Sequence, residues 1–383
     1  MYFTRYLFYA QERILTRKEN KKSINNEIDS KNAKLIEEEN IMKVAFFDTK
    51  EYDEIAFKKY MEERNIEIKF FEPKLNIDTV DLAKGYDAVC IFVNDDVNEE
   101  VINKLYEYGI KAIFLRCAGF NNVDTKACFG KIHVYRVPAY SPYAVAEHAM
   151  ALYMTNNRRI HKAYNRTREY NFSLAGLTGN DMHGKTVGVI GTGRIGRCFI
   201  NICKGFGMNV LCYDAYPAND LNYVSLDEIF EKSDIISLHC PLTPETRHII
   251  NKDSIKKMKK GVAIINTSRG GLIDAQALLD GIIERKIGSA CLDVYEEEAE
   301  LFYEDKSGHI MNDDTLLKLI AMPNVIITSH QAFLTHEALE NIADTTTQNI
   351  LSFFNGEQGN ANELCYHCGN EQNCKKLRKE KCF

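Results

Sequence analysis

The sequence predicts an α/β protein built of two doubly wound domains with parallel sheets and a hinged cleft between them. Three observations carry this expectation. From Met42 to about residue 333, short apolar runs alternate with helical runs, the pattern of parallel strands joined by crossover helices. One of those runs, KTVGVI, opens directly into the glycine-spaced turn Gly191-Thr192-Gly193-Arg194-Ile195-Gly196, which makes the second domain Rossmann-like. The segment Pro138-Ala139-Tyr140-Ser141-Pro142 breaks the alternation and marks where the first domain ends.

The elements follow in order. Residues 1–41 are polar, rich in Lys, Glu and Asn, and without sustained periodicity, which reads as a disordered or weakly helical leader. The run Glu37-Glu38-Glu39-Asn40, whose codons would be purine-rich like a ribosome-binding site, makes Met42 the expected natural start and 1–41 a non-native leader. KVAFFDT, IEIKFFE, AVCIFV and KAIFLRCAG are strands, with EIAFKKYMEERN and EEVINKLYEYG as helices between them. No glycine fingerprint occurs here, so residues 42–142, with a returning amphipathic helix in 334–364, form the substrate domain. PYAVAEHAMALYMTNNRRIHKAYNRTRE reads as one long helix leading into the cofactor domain, 143–333. There DAQALLDGIIERKIG is the clearest helix, with Asp274 as N-cap and Gly288 near its end.

Composition excludes several classes. The chain has 383 residues, 45% of them hydrophobic, enough for two packed cores. A net charge of −6 argues against nucleic acid as a partner. No apolar stretch approaches a bilayer span, and Arg5 interrupts the apolar N-terminus with no cleavage site after it, so a membrane or secretory destination is not expected. Of the 12 cysteines, Cys90, Cys117, Cys128, Cys198, Cys203, Cys212, Cys240 and Cys291 lie singly in apolar segments, as small hydrophobes in a reducing cytoplasm.

The chemistry lies at strand ends. Gly191, Gly193 and Gly196 let the backbone approach a pyrophosphate at a helix N-terminus, and Asp214 at the end of NVLCYD can hold a ribose diol, favouring NAD over NADP. Arg269 follows the strand AIINTS, Asp293 and Glu298 stand in CLDVYEEEAE at the end of the strand SACLDV, and His330 follows NVIITS. This set suits hydride transfer to a 2-oxo acid. A His supplies the proton to the carbonyl oxygen, a carboxylate beside it favours the imidazolium, and a guanidinium grips the substrate carboxylate by two parallel hydrogen bonds. The roles fall to His330, Glu298 and Arg269. Each residue has a plain structural reading on its own, a packed His, a solvated acidic patch, a turn; the combination behind the fingerprint favours catalysis.

On these residues, and on Pro138 to Glu147, HCPLTPETRHIIN (239–251), INTSRGGLID (265–274), LDVYEEE (292–298) and TSHQAFLTHEAL (328–339), the chain resembles the D-isomer-specific 2-hydroxyacid dehydrogenases over roughly residues 42–364. The resemblance implies a cytoplasmic, fermentative homo-oligomer, dimer or tetramer, that interconverts pyruvate and D-lactate with NAD. It further implies that Arg194 and Ile195 bind pyrophosphate through their backbone and that Cys240, Pro241 and Thr246 wall the adenosine half. Thr267, Ser268 and Asp293 are then nicotinamide neighbours. Tyr140 is a substrate contact, with packing at the hinge as its structural alternative, and Ala118, Gly119 and Phe333 line the substrate's carbon chain. Tyr140 and Phe333 leave room for a small substituent, although a pocket discriminates by only about 1–3 kcal/mol per methylene. A dehydrogenase for branched substrates such as 2-oxoisocaproate is one alternative, and an NAD-sensing corepressor that binds peptides is another.

Cys365, Cys368, Cys374 and Cys382, with His367, depart from the family pattern. Their ligand types suit zinc or an iron–sulfur cluster, but the spacing matches no standard finger. A redox-responsive thiol cluster and a disordered tail are the other readings.

Overall fold

The structure is a computed structural model describing residues 41–298, 301–357, 360–364 and 366. The leader 1–40 and the four tail cysteines lie outside the described residues. Two compact units divide the chain at Val137/Pro138 and again at Ile342/Ala343.

The first unit contains β1 (Met42–Phe46), α1 (Glu51–Arg64), β2 (Ile66–Phe70), β3 (Ala88–Ile91), α2 (Glu99–Glu107), β4 (Ala112–Leu115), the short α3 (Thr125–Cys128) and β5 (His133–Arg136). The second contains α4 (Pro142–Asn157), α5 (Ile160–Arg168), β6 (Thr186–Ile190), α6 (Arg194–Gly205), β7 (Asn209–Tyr213), α7 (Leu226–Lys232) and β8 (Ile235–Leu238). It continues through α8 (Lys252–Lys257), β9 (Val262–Asn266), α9 (Ala275–Ile283), β10 (Ile287–Leu292), α10 (Asp314–Ala321) and β11 (Val325–Ile327). Helix α11 (His336–Phe354) then carries the chain back to the first unit, where β12 (Glu363–Leu364) adds the one antiparallel strand beside β5.

The first sheet has the order β12-β5-β4-β3-β1-β2 and the second β11-β10-β9-β8-β6-β7. Strand β9, VAIIN, is buried at every position, as a central parallel strand must be. Its alternate residues feed opposite faces: Ile264 joins Ile190, Ile236 and Leu238, whereas Ile265 joins Val187, Val189, Ile235 and the α4 residues Ala149 and Met150. Each such side chain contributes about 1.5–3 kcal/mol. In the second sheet the strand order reverses between β6 and β8, the position at whose carboxyl ends doubly wound sheets bind ligands.

At the corresponding edge of the first sheet sits a fully buried guanidinium. Arg116 pairs with both carboxylate oxygens of Asp53, at 3.2 and 3.3 Å, and donates to the carbonyls of Phe47 and Asp48. It stacks between the rings of Phe46 and Phe92. No sequence pattern announces this site.

Two expectations are corrected. The single long helix is two, because Arg159 adopts a left-handed conformation (φ 55°) between α4 and α5. Asn156, fully buried, donates to the Ala290 and Asn324 carbonyls and also accepts from the Arg159 guanidinium, which ties the end of α4 to the sheet. Helix α9 is capped by Asp274, which accepts from Ala277 N at 2.9 Å, but it ends well before Gly288. Arg285 (φ 58°) makes the left-handed turn, and Gly288 lies inside β10. Among the described residues no helix is long and apolar enough to cross a membrane.

Candidate active site

The glycine turn follows β6 directly. Gly191 takes φ 96°, and a Cβ there would lie 2.5 Å from Cys240 N and His239 O, so the end of β8 can pass against the turn only if this residue is glycine. Gly193 is the N-cap of α6 and faces open space, while Gly196 is buried in its first turn. The N–H groups of Arg194 and Ile195 stand at that helix's start, where an anion is favoured.

Asp214, just past β7, is fastened to the turn. Its Oδ2 accepts from Thr192 N at 2.6 Å and Thr192 Oγ1 at 2.9 Å, and its Oδ1 from Tyr216 N at 2.9 Å. Partial burial would raise its pKa, but these hydrogen bonds outweigh it and hold the carboxyl below its usual range. The acid is therefore ionised, which suits a ribose diol and opposes a 2′-phosphate.

On the far side of the turn, burial pushes the Cys240 thiol up to about 11, so it is an inert wall. Thr246 spends its hydroxyl on its own loop, donating to Pro241 O at 2.7 Å. Ser268 donates to Leu238 O. Thr267 differs: its hydroxyl is buried with no partner among the described residues, as a donor awaiting a ligand would be. The open N-cap, the ionised Asp214 and this orphaned hydroxyl together fit a dinucleotide.

The candidate catalytic groups stand on adjoining loops of the same unit. Gly270, after Arg269, is pressed onto the backbone of Tyr295, where a Cβ would come within 2.0 Å of the carbonyl oxygen. The loop that carries Arg269 therefore lies directly on the segment leading to Glu298. Arg269 itself uses Nη1 on Ser268 O at 2.7 Å, and Asn266 Nδ2 holds its carbonyl.

Glu298 Oε2 accepts from Tyr295 N at 2.8 Å, and its Oε1 lies 2.9 Å from His330 Nδ1. His330 is a non-glycine residue at φ 52°, a strained conformation held from several sides. Its N–H donates to Asp293 O at 2.7 Å, its carbonyl accepts from Tyr303 Oη at 3.0 Å, and its ring stacks on Tyr303. With Nδ1 on Glu298, Nε2 has no partner among the described residues and the side chain remains about a fifth exposed. The free nitrogen is the one that can exchange a proton with a ligand.

Asp293, expected beside the nicotinamide, is fully buried under the His330 turn. Its Oδ1 accepts from Gln331 N and Thr328 Oγ1, its Oδ2 from Ala332 N, and His148 Nε2 approaches at 3.3 Å. The side chain has no exposed surface, so here the carboxylate holds the His330 turn and does not face the site. Burial would raise this carboxyl, but the hydrogen bonds from His148, Thr328 and Ala332 pull it below the usual range. The motif AVAEHA gives His148 a place on α4 but no hint of this partner. Tyr303 lies beyond any motif.

Tyr140 and Phe333 meet edge to face with centroids 6.2 Å apart, and Asn341 Nδ2 holds the Tyr140 carbonyl at 2.7 Å. Ala118 and Gly119 belong to the first unit, in the loop after β4.

The family profile described as D-isomer specific 2-hydroxyacid dehydrogenase, NAD binding domain, matches residues 150–332. A 2-hydroxyacid dehydrogenase homolog of Haemophilus influenzae is 53% identical over 327 residues, covering 82% of this chain and 97% of that protein. The D-lactate dehydrogenase of Escherichia coli is 52% identical over 323 residues, covering 82% and 98%. Among solved structures, one described as the pyruvate reductase of Chlamydomonas reinhardtii superposes with a TM-score of 0.79 at 45% identity, covering 82% of this chain and 97% of that one.

Proposed function

Since the chain belongs to the D-isomer-specific 2-hydroxyacid dehydrogenase family and is an NAD-dependent oxidoreductase of D-2-hydroxy acids, we propose that its substrate pair is pyruvate and D-lactate. The observation that carries the chemistry is the Glu298–His330 pair at 2.9 Å, which leaves Nε2 without a partner among the described residues. Tyr140 and Phe333 support a small substituent on the substrate, which favours pyruvate over 2-oxoisocaproate.

The geometry supports the following division of roles. Bound NADH supplies the hydride. The glycine turn and the start of α6 would hold its pyrophosphate, Asp214 its ribose, and Thr267 its nicotinamide half. Arg269 grips the substrate carboxylate and turns the carbonyl's face. His330 gives its Nε2 proton to the carbonyl oxygen as that oxygen becomes an alkoxide. Glu298 accepts from Nδ1–H, fixes the ring and favours the imidazolium; in lactate oxidation His330 takes the proton back. Ala118 and Gly119 of the first unit contact the substrate.

NADH oxidation with pyruvate, followed by chiral analysis of the product, tests the reading; L-lactate or no turnover would refute it. His330→Ala should lower kcat by about 10²-fold or more. Near-normal turnover in that variant would overturn the assignment of His330, whereas negligible turnover of the unsubstituted protein would favour the corepressor alternative. The enzyme is read as a cytoplasmic homo-oligomer. For the cysteine tail, metal analysis of anaerobically purified protein against a chain ending at Leu364 separates a zinc or iron–sulfur site from a bare tail.

A further inference from the structure

In the loop after β4 the carbonyl groups have partners and, among the described residues, three N–H groups do not. The Cys117 carbonyl accepts from Val137 N at 3.2 Å, the Ala118 carbonyl from Arg136 Nη1 at 2.9 Å, and the Gly119 carbonyl from Cys117 Sγ at 3.2 Å. Asn122 Nδ2 closes the loop on the carbonyls of Phe92 and Asp95. The N–H groups of Ala118, Gly119 and Phe120 find no acceptor among the described residues. These three consecutive donors are open to an outside acceptor.

Arg136 is the charged member of this arrangement. Its backbone is clamped on both sides, N–H to Asn362 O and carbonyl from Asn349 Nδ2, each at 3.1 Å. Its guanidinium lies over the Phe120 ring, 5.2 Å from the centroid, and no carboxylate among the described residues pairs with it. A half-buried guanidinium without an acid is unusual, and its one hydrogen bond goes to the Ala118 carbonyl.

We infer that Arg136 is a positioning residue for substrate binding: it fixes and polarises the Ala118–Gly119 peptide so that the Gly119 N–H grips the 2-oxo acid carboxylate. The Ala118 carbonyl and the Gly119 N–H belong to one conjugated amide. A cationic donor on the oxygen draws electron density from the nitrogen and makes its proton a stronger donor. The uncompensated positive charge adds to the same attraction. This inference rests on the reading of Ala118 and Gly119 as substrate contacts.

Because the carboxylate is held alike before and during hydride transfer, the effect belongs in KM. Arg136→Met in the full-length enzyme should raise the pyruvate KM and the oxamate Ki about tenfold, with kcat within about threefold and the NADH KM unchanged. Arg136→Lys, which keeps charge and a donor, should recover most of that loss. The Gly119 amide resonance, followed by TROSY NMR as oxamate is added to the enzyme–NADH complex, separates the two levels of argument. A downfield shift in the unsubstituted enzyme, reduced in Arg136→Met, is the expected result. If that amide does not move in the unsubstituted enzyme, the loop is not a substrate contact and the underlying reading is wrong. If it moves equally in both proteins and the pyruvate KM is unchanged, Arg136 has no such role. Should Arg136→Met not fold, the Lys variant decides: a pyruvate KM more than about tenfold above normal would count against a role for charge.

Discussion

Two histidines of the second unit show how neighbours divide the chemistry of one side chain. His330 has Nδ1 on a carboxylate and Nε2 without a partner among the described residues, the arrangement that the proposed proton carrier needs. His239 has Nε2 on Ser237 Oγ, Nδ1 buried without a partner and its ring against Phe199; burial drives its pKa down to about 3. It stays neutral and serves as packing beneath Gly191. Both follow strands in the sequence, and nothing in their spacing says which is buried. Glu298→Gln keeps an acceptor for Tyr295 N but removes the carboxylate from His330 Nδ1. kcat for pyruvate reduction should fall by about tenfold or more, with the NADH KM unchanged. A kcat within about twofold of normal would mean that the carboxylate's charge is not needed.

At the scale of elements, helix α9 offers a matched pair of tests. Asp274 caps its start, and Asp274→Ala should cost about 1 kcal/mol in chemical denaturation. Arg285, exposed at φ 58°, carries a side chain where glycine would be relaxed, so Arg285→Gly should gain up to about 1 kcal/mol. The start was legible because an Asp before an apolar helical run is a local signal. The end was not, since Gly288 suggested a stop that the chain reaches earlier, with Arg285. The break at Arg159 was hidden for the same kind of reason: a buried Asn156 anchored to other strands decides it, and no local pattern records those partners.

At the scale of the molecule, buried titratable groups predict opposite responses to pH in the two units. In the second, His239 and Asp293 both have lowered pKa values. Their stabilisation is present above the unfolded values, about 6.5 and 4, and is lost as pH falls. In the first, burial pushes Asp95 up to about 7 and raises Asp53, outweighing Arg116 and the backbone N–H groups that pull them down. Raised acids contribute stability below about 4 that is lost as pH rises through the folded value, about 7 for Asp95. Hydrogen-exchange protection factors, corrected for intrinsic rates, should therefore weaken in β1, β3 and β4 between pH 5 and 8, and in β8 and β10 between pH 6.5 and 4. The same trend in both units would refute the assignment. The sequence by itself determined the alternation of strands and helices, the glycine turn with Asp214, and the types of the catalytic groups, because apolar periodicity, tight turns and reactive side chains are local properties. Only the tertiary structure decided that Glu298 meets His330 Nδ1, that Asp293 holds the His330 turn, and that Arg116 is sealed against Asp53 between two phenylalanine rings. Burial and partnership arise when segments distant in the chain pack together, and no single segment encodes them.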